Sequence, residues 1–259
     1  MAMPQTLVCP LWRVSPNLAA KIHIKNALMV APLAVTPTLY MADGTPYQLP
    51  PVELPMSGEV TVDLNQALAN APSWLGGHIS DYGSAALTYR WDGAGHVSAS
   101  MNLKDLVHSL TFHQTFFDLP SSMRMGAGST AAFNGYQRWQ EQREHAVLAS
   151  YHIPMPVGRQ ERGTSQAQTP PLDGLWWKRD AGVIGYFALA NTSTLPIKVR
   201  YRVSGSAGAQ GSGAAVGLGP NATAIVPLDP LIASLPPNER GGGGITVEQL
   251  SGPAMAMSA

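Results

Sequence analysis

Two stretches of equal length, residues 11–26 (LWRVSPNLAAKIHIKN) and residues 176–191 (WWKRDAGVIGYFALAN), decide how this chain is interpreted. In each, a tryptophan followed by a basic residue precedes an asparagine by 14 positions. The tryptophans are Trp12 and Trp177, and the asparagines are Asn26 and Asn191. Similarity that recurs within one chain is the signature of an internal repeat. We therefore treat these four residues as markers of a repeated unit.

The similarity continues beyond the two asparagines in the same order. The matched segments are 32–40 with 195–203, 60–64 with 224–228, 65–69 with 229–233, and 83–89 with 244–248. Differences in loop length account for the drifting offset, because loops tolerate insertions and strands do not. We interpret the chain as two copies of one module, residues 11–118 and 175–259, separated by an insertion at 119–174.

Apolar residues alternate with a period of two inside both copies, which predicts strands with one face in a core and one in water. Ile22 and Ile24 show the pattern in the first copy, and Ile245 and Val247 show it in the second. Glycine-bearing turns separate these short segments. The predicted fold is all-β, with two antiparallel β-sandwich domains in tandem. The prolines at 32, 37 and 196 are expected at sheet edges or bulges, where a missing N–H is tolerated.

This layout resembles the immunoglobulin-like and fibronectin-type modules that bacterial extracytoplasmic proteins carry in tandem. The resemblance lies in strand number and patterning over most of both copies, and it carries over no functional residue. It implies a periplasmic or cell-surface location if a leader has been removed, and otherwise the chain is cytoplasmic.

The two copies are not equally complete. An apolar stretch at 106–117 ends the first copy, whereas the second stops at Ala259 before any equivalent, so a final strand is missing or comes from elsewhere. Residues 146–153 in the insertion are the best internal candidate for that strand. The rest of the insertion is predicted to be loop or linker. A short helix beginning near Asn134 and an extended excursion remain alternative interpretations.

Charge is sparse and balanced, with 16 basic and 16 acidic residues, a charged share of 12% and an isoelectric point near 7.1. Nucleic-acid binding usually requires a basic surface, so we expect no nucleic-acid partner. Residues 1–20 lack a basic leader and a continuous apolar stretch, and neither a signal peptide nor a membrane span is predicted. The single cysteine, Cys9, excludes an internal disulfide.

No motif predicts catalysis, a cofactor or a metal. His108 and His113 fall on opposite faces of a predicted strand, and His145 and His152 lack a carboxylate at a ligand spacing. The sequence Gly126-Ala-Gly-Ser-Thr130 lacks the second glycine of a nucleophile elbow. The glycine-rich runs lie between predicted strands, which favours hairpins and bulges over phosphate binding.

Exposed aromatic rings offer the one candidate ligand site. Trp176, or its neighbour Trp177, could form a platform for a sugar ring together with Trp74, Trp91 or Tyr89. The competing interpretation is that Trp12 and Trp177 are structural. We expect a non-catalytic structural or binding module whose partner is a protein or a glycan. The alternatives are a carbohydrate-binding module that uses the aromatics and an enzyme with a site between the repeats.

Overall fold

The computed structural model describes residues 3–27, 31–91, 97–107, 109, 111–118, 172–178, 185–253 and 257–258. Antiparallel strands dominate these residues, so the all-β prediction is confirmed. The predicted strand at 146–153 and the alternative helix near Asn134 lie outside the described residues. Both α-helices in the described part of the chain are too short to cross a bilayer.

The first half forms two sheets. Its elements are β1 (Met3–Arg13), β2 (Leu18–Asn26), β3 (Leu33–Met41), β4 (Pro46–Gln48), β5 (Val52–Leu54), β6 (Glu59–Asp63), α1 (Leu64–Ala69), a 3-10 turn (Ser73–Leu75), β7 (Tyr82–Trp91), β8 (Val97–Asp105), β9 (Thr111–Thr115) and β10 (Phe117–Asp118). Sheet 1 has the order β10-β1-β7-β3-β4, and β5 also pairs with β3. Sheet 2 has the order β6-β2-β8-β9.

The second half also forms two sheets. Its elements are β11 (Leu172–Lys178), β12 (Tyr186–Asn191), β13 (Ile197–Gly205), β14 (Gln210–Leu218), β15 (Thr223–Pro227), α2 (Asp229–Ala233), a 3-10 turn (Pro237–Glu239), β16 (Gly242–Ser251) and β17 (Met257–Ser258). Sheet 3 has the order β11-β16-β13-β14, and sheet 4 has the order β15-β12-β17.

The strand orders of the two halves correspond. Sheet 3 repeats the order β1-β7-β3-β4 of sheet 1, and sheet 4 repeats the order β6-β2-β8 of sheet 2. Helix α1 follows β6 as α2 follows β15, and a 3-10 turn follows each helix. In both halves the strand before the helix and the strand after the 3-10 turn lie in different sheets, so the helix lies on the crossover between them.

Each pair of sheets encloses one apolar core. In the first half the core residues alternate along strands of both sheets: Leu7, Cys9, Ile22, Ile24, Val35, Leu39, Ala85, Leu87, Ala99, Met101 and Leu103. In the second half the same alternation gives Leu189, Ile197, Val199, Val203, Val226, Ile245 and Val247. Full burial of such a side chain contributes about 1.5–3 kcal/mol, so the period-two pattern is the main stabilising feature.

Pro37 lies within β3, which has partner strands on both sides. One partner is continuous β7, but the other is divided into β5 and β4, with Pro50 and Pro51 between them. The carbonyl of Pro37 accepts the N–H of Leu49 at 2.9 Å. The missing N–H of Pro37 therefore falls at an interruption in the partner strand.

The halves differ in how completely their second sheets are paired. Strand β8 pairs with β2 along nine residues, from Leu18 to Asn26. Strand β17 pairs with β12 only at Ala190 and Asn191. No strand equivalent to β9 is present among the described residues of the second half. Among the described residues, β12 is therefore paired over a shorter length on this side than β2 is.

The halves contact each other through the outer faces of sheets 1 and 4. Strand β1 contacts β12, and β7 contacts β15. The residues buried on these outer faces are small or medium in size: Thr6, Val8, Ser84, Ala86, Ala188 and Ala190. The N–H of Thr223 also donates to the carbonyl of Ala42 at 3.0 Å. Small side chains let the two sheets approach closely.

Candidate functional site

The two marker tryptophans are structural anchors. Trp12 is fully buried and Trp177 is 4% exposed. The indole N–H of Trp12 donates to the carbonyl of Ser84 at 2.8 Å, and that of Trp177 donates to the carbonyl of Gly244 at 3.2 Å. Each bond joins the first strand of a half to the strand beside it. Neither ring presents a face to a ligand.

A glycine lies opposite each marker tryptophan. Trp12 pairs with Gly83, and Trp177 pairs with Gly243. A Cβ atom at Gly83 would collide with the carbonyl oxygen of Tyr40, and one at Gly243 would collide with that of Ser204. Both halves thus require a glycine opposite the marker tryptophan, because the backbone of a neighbouring strand approaches closely there.

The marker asparagines also make equivalent contacts. Asn26 and Asn191 are fully buried. The Nδ2 of Asn26 donates to the carbonyls of Ala31 and Pro55 at 3.0 and 3.1 Å. The Nδ2 of Asn191 donates to the carbonyls of Leu195 and Gly219 at 2.8 and 2.7 Å. Each side-chain amide donates hydrogen bonds to carbonyls in two chain segments that lie outside its own strand. Both asparagines therefore hold the loops after their strands in place.

The proposed platform aromatics differ in exposure where their side chains are described. Tyr89 is 3% exposed and belongs to the core, whereas Trp74 is 62% exposed. For Trp91 and Trp176 only the backbone is described, with Trp91 opposite Met3 and Trp176 opposite Gly244.

Polar side chains lie in the loop that follows Trp74. His78 is in this loop, and its backbone N–H donates to the carbonyl of Leu75 at 2.8 Å. The Nδ1 of His78 is 2.6 Å from the Oδ2 of Asp43 and 3.2 Å from the Oγ1 of Thr45. The side chains of His78 and Asp43 are 51% and 48% exposed. The loop that carries the exposed indole of Trp74 thus also carries His78, which contacts Asp43 in the turn between β3 and β4.

The Asp43 carboxylate is stabilised in its charged form. Partial burial raises the pKa of Asp43, but hydrogen bonds from His78 and Thr45 lower it by more. The nearby charge of His78 acts in the same direction, so the pKa of Asp43 lies below its ordinary value. This carboxylate remains an acceptor for hydroxyl donors over a wide pH range.

Cys9 is not arranged as a nucleophile. Its side chain is fully buried in the core of the first half, and its Sγ donates weakly to the carbonyl of Leu11 at 3.4 Å. Burial raises the pKa of the Cys9 thiol to about 12, although the bond to Leu11 opposes the rise. A reactive cysteine needs an accessible thiolate, which this position does not provide.

The described residues contain no group of three or more histidine, cysteine or acidic side chains that could hold a metal ion. His113 is instead paired with Asn102, with 2.5 Å between Nδ1 and Oδ1. His108, His145 and His152 lie outside the described residues.

A row of basic side chains lies on the outer face of sheet 3. Lys198, Arg200 and Arg202 occupy alternate positions of β13, and all three are exposed. The apolar residues of this strand alternate with these basic residues, which drew no prediction from the sequence. Their positions in the sequence KVRYR would have predicted the row, because alternate residues of a strand share a face.

No family model, curated protein or solved structure matches the chain. The candidate sites are therefore interpreted from their own geometry and chemistry.

Proposed function

We propose that the protein is a non-catalytic binding module built from two β-sandwich units in tandem, working outside the bacterial cytoplasm. The location is part of the proposal because modules of this layout resemble those of bacterial extracytoplasmic proteins. The sandwiches would be immunoglobulin-like in layers and strand number. They depart from the immunoglobulin order, since β1 pairs with β7 and lies in a different sheet from β2.

The observation that carries this proposal is the matched use of buried polar groups in the two halves. Trp12 and Trp177, like Asn26 and Asn191, donate to backbone carbonyls at equivalent positions. Groups that are engaged in holding backbone are not available to a substrate. The exposed polar side chains lie on outer sheet faces and in loops, where they can contact a ligand.

The contact between the halves also favours binding over catalysis. An enzyme with a site between the repeats would need titratable groups from both halves at their junction. The described junction consists mainly of small apolar or hydroxyl side chains, including Val8, Ala86, Ala188 and Ala190. One basic group lies there: the guanidinium carbon of Arg13 is 5.0 Å from the centroid of the Tyr186 ring. A single arginine stacked on a ring supplies no acid and base pair.

The test is saturable binding without turnover. The intact protein is titrated with a panel of neutral and acidic oligosaccharides while tryptophan emission is recorded, and each sugar is then recovered and analysed by mass spectrometry. The proposal expects at least one saturable ligand that is recovered unchanged. Conversion of a ligand beyond one equivalent per protein molecule would contradict it, as would a panel without any saturable response.

A second candidate function, carbohydrate binding at an aromatic platform, is favoured by Trp74. Its indole is 62% exposed, and the carboxylate of Asp43 lies against His78 in the loop that follows. A ring face for stacking together with a hydrogen-bond acceptor is the combination that sugar sites use.

The variant Trp74→Ala tests this candidate against Phe112→Ala, which removes an aromatic ring that is 57% exposed on β9. Loss of neutral-sugar binding in Trp74→Ala alone is the expected result. Equal binding by the wild type and both variants would remove Trp74 from the site.

A further inference from the structure

The outer face of sheet 3 carries a short, straight line of positive charge. Lys198, Arg200 and Arg202 are directed to solvent because Val199 and Val203, which alternate with them, belong to the core. Alternate residues of a strand are about 6.7 Å apart, so the three side chains extend over about 13 Å. We call these three residues the basic row. Strand β13 lies inside the sheet, so this is not the placement of charge that protects an edge strand.

One side of the basic row is bordered by residues with little or no side chain. The partners on β14 are Gly217 opposite Lys198, Ala215 opposite Arg200 and Gly213 opposite Arg202. A Cβ atom added at Gly217 would meet nothing within 4 Å. A linear ligand can therefore lie along the strand without meeting a bulky side chain on that side.

The charge of the basic row is largely uncompensated. The Nε of Arg200 is 3.2 Å from the Oε2 of Glu248 on β16, and this pair is partly exposed. Among the described residues, Lys198 and Arg202 form no hydrogen bond or ion pair through their side chains. Two of the three cations are therefore available, and the third is held by a carboxylate that a ligand could displace.

We infer that the basic row binds a linear acidic glycan, one whose sugars carry carboxylate or sulfate groups. Arginine matches such groups because its planar guanidinium can donate two parallel hydrogen bonds to them. Single-stranded nucleic acid is a poorer fit, since its binding sites usually include aromatic rings for base stacking. The residues opposite the row on the neighbouring strands are Gly, Ala, Thr, Glu and Ser. This inference rests on the proposed binding function and names its ligand class.

The experiment measures the affinity of the intact protein for polygalacturonate, which carries carboxylates, and for heparin, which carries sulfates. Biolayer interferometry at low and physiological salt gives both the affinity and its salt dependence. Binding is expected to weaken as salt rises, because exposed charges are screened. Comparison of the two probes distinguishes carboxylate from sulfate recognition.

Two variants and one control locate the site. The triple variant Lys198→Gln/Arg200→Gln/Arg202→Gln should lose between roughly threefold and a hundredfold in affinity, since each exposed ion pair contributes 0.2–1 kcal/mol. The control Lys25→Gln/Arg90→Gln/Lys104→Gln removes the same charge from exposed positions of the first half and should retain binding. The variant Glu248→Gln should bind about two- to fivefold more tightly, because Arg200 loses its competing partner.

The outcomes separate the site from the function. The inference is overturned if neither polyanion binds, if the control loses as much affinity as the triple variant, or if a thymidine 20-mer binds as tightly as the glycans. Neutral-sugar binding alone would overturn the inference and leave the binding function intact. Binding of the acidic glycan at the basic row followed by its conversion to products would contradict the non-catalytic function and leave the assignment of the ligand class intact. If the triple variant fails to fold by circular dichroism, Arg202→Gln and Glu248→Gln decide the matter by their opposite effects.

Discussion

Replacing Gly83 by alanine should destabilise the first half far more than the same substitution at Gly77. The added Cβ would meet the carbonyl oxygen of Tyr40, which belongs to the neighbouring strand β3. Backbone atoms cannot rotate away as the end of a side chain can. The collision is therefore relieved only if β3 and β7 separate locally.

The magnitude follows from two effects. Inserting an extra methyl group into a filled site costs about 1–3 kcal/mol. A shift of β7 away from β3 also disturbs the hydrogen bond from the Trp12 indole on β1 to the carbonyl of Ser84, the next residue along β7. Losing that bond adds about 0.5–1.5 kcal/mol. We expect Gly83→Ala to lower the free energy of unfolding by about 1.5–4.5 kcal/mol in total.

The assay is equilibrium urea unfolding followed by circular dichroism and tryptophan fluorescence. The matched control is Gly77→Ala, because a Cβ atom at Gly77 would meet nothing within 4 Å. The same comparison is repeated in the second half with Gly243→Ala and its control Gly241→Ala, which has equally open surroundings. The reasoning is refuted if Gly83→Ala and Gly77→Ala unfold at the same urea concentration.

Three further predictions concern groups with defined surroundings. Asn26→Ala should lower the free energy of unfolding by about 2–4 kcal/mol, because two backbone carbonyls lose the donor that the buried Asn26 side chain supplies; a change below 0.5 kcal/mol in the urea series would contradict this. Cys9 has a pKa of about 12, so roughly one thiol in ten thousand is ionised at pH 8. Ellman's reagent should therefore label Cys9 only after the protein unfolds. Rapid labelling of the native protein would contradict the burial of Cys9. The pKa of Asp43 is lowered by folding. The Asp43 carboxylate therefore stabilises the folded state above the ordinary carboxyl pKa, and this stabilisation disappears as the pH falls through the pKa of Asp43 in the folded protein. Asp43→Ala should therefore reduce stability by less than about 1 kcal/mol at pH 7 and by less still at acid pH; a deficit that grows on acidification, or that the control Asp81→Ala shares, would count against this account.

The alternation of apolar residues was sufficient to predict strands but not their neighbours. Ile22 and Ile24, like Ile245 and Val247, lie in the cores as the period of two predicts. The period assigns a face to each side chain and says nothing about which strand lies beside it. The pairing of β1 with β7, and the separation of β1 from β2, depend on long-range contacts that no local pattern encodes.

The candidate sites could likewise be predicted only in part from the sequence. Composition and spacing could not distinguish Tyr89, which is buried, from Trp74, which is exposed. Exposure depends on how the loop after α1 returns to the sheet, and Leu75 rather than Trp74 enters the core there. The basic row, by contrast, can be predicted from the sequence once residues 197–205 are assigned to a strand. Because the same alternation that buries Val199 and Val203 exposes Lys198, Arg200 and Arg202, assigning a core face also assigns an outer face with its own chemistry. In a protein whose buried polar groups hold backbone in both halves, that outer face is where a ligand is best sought.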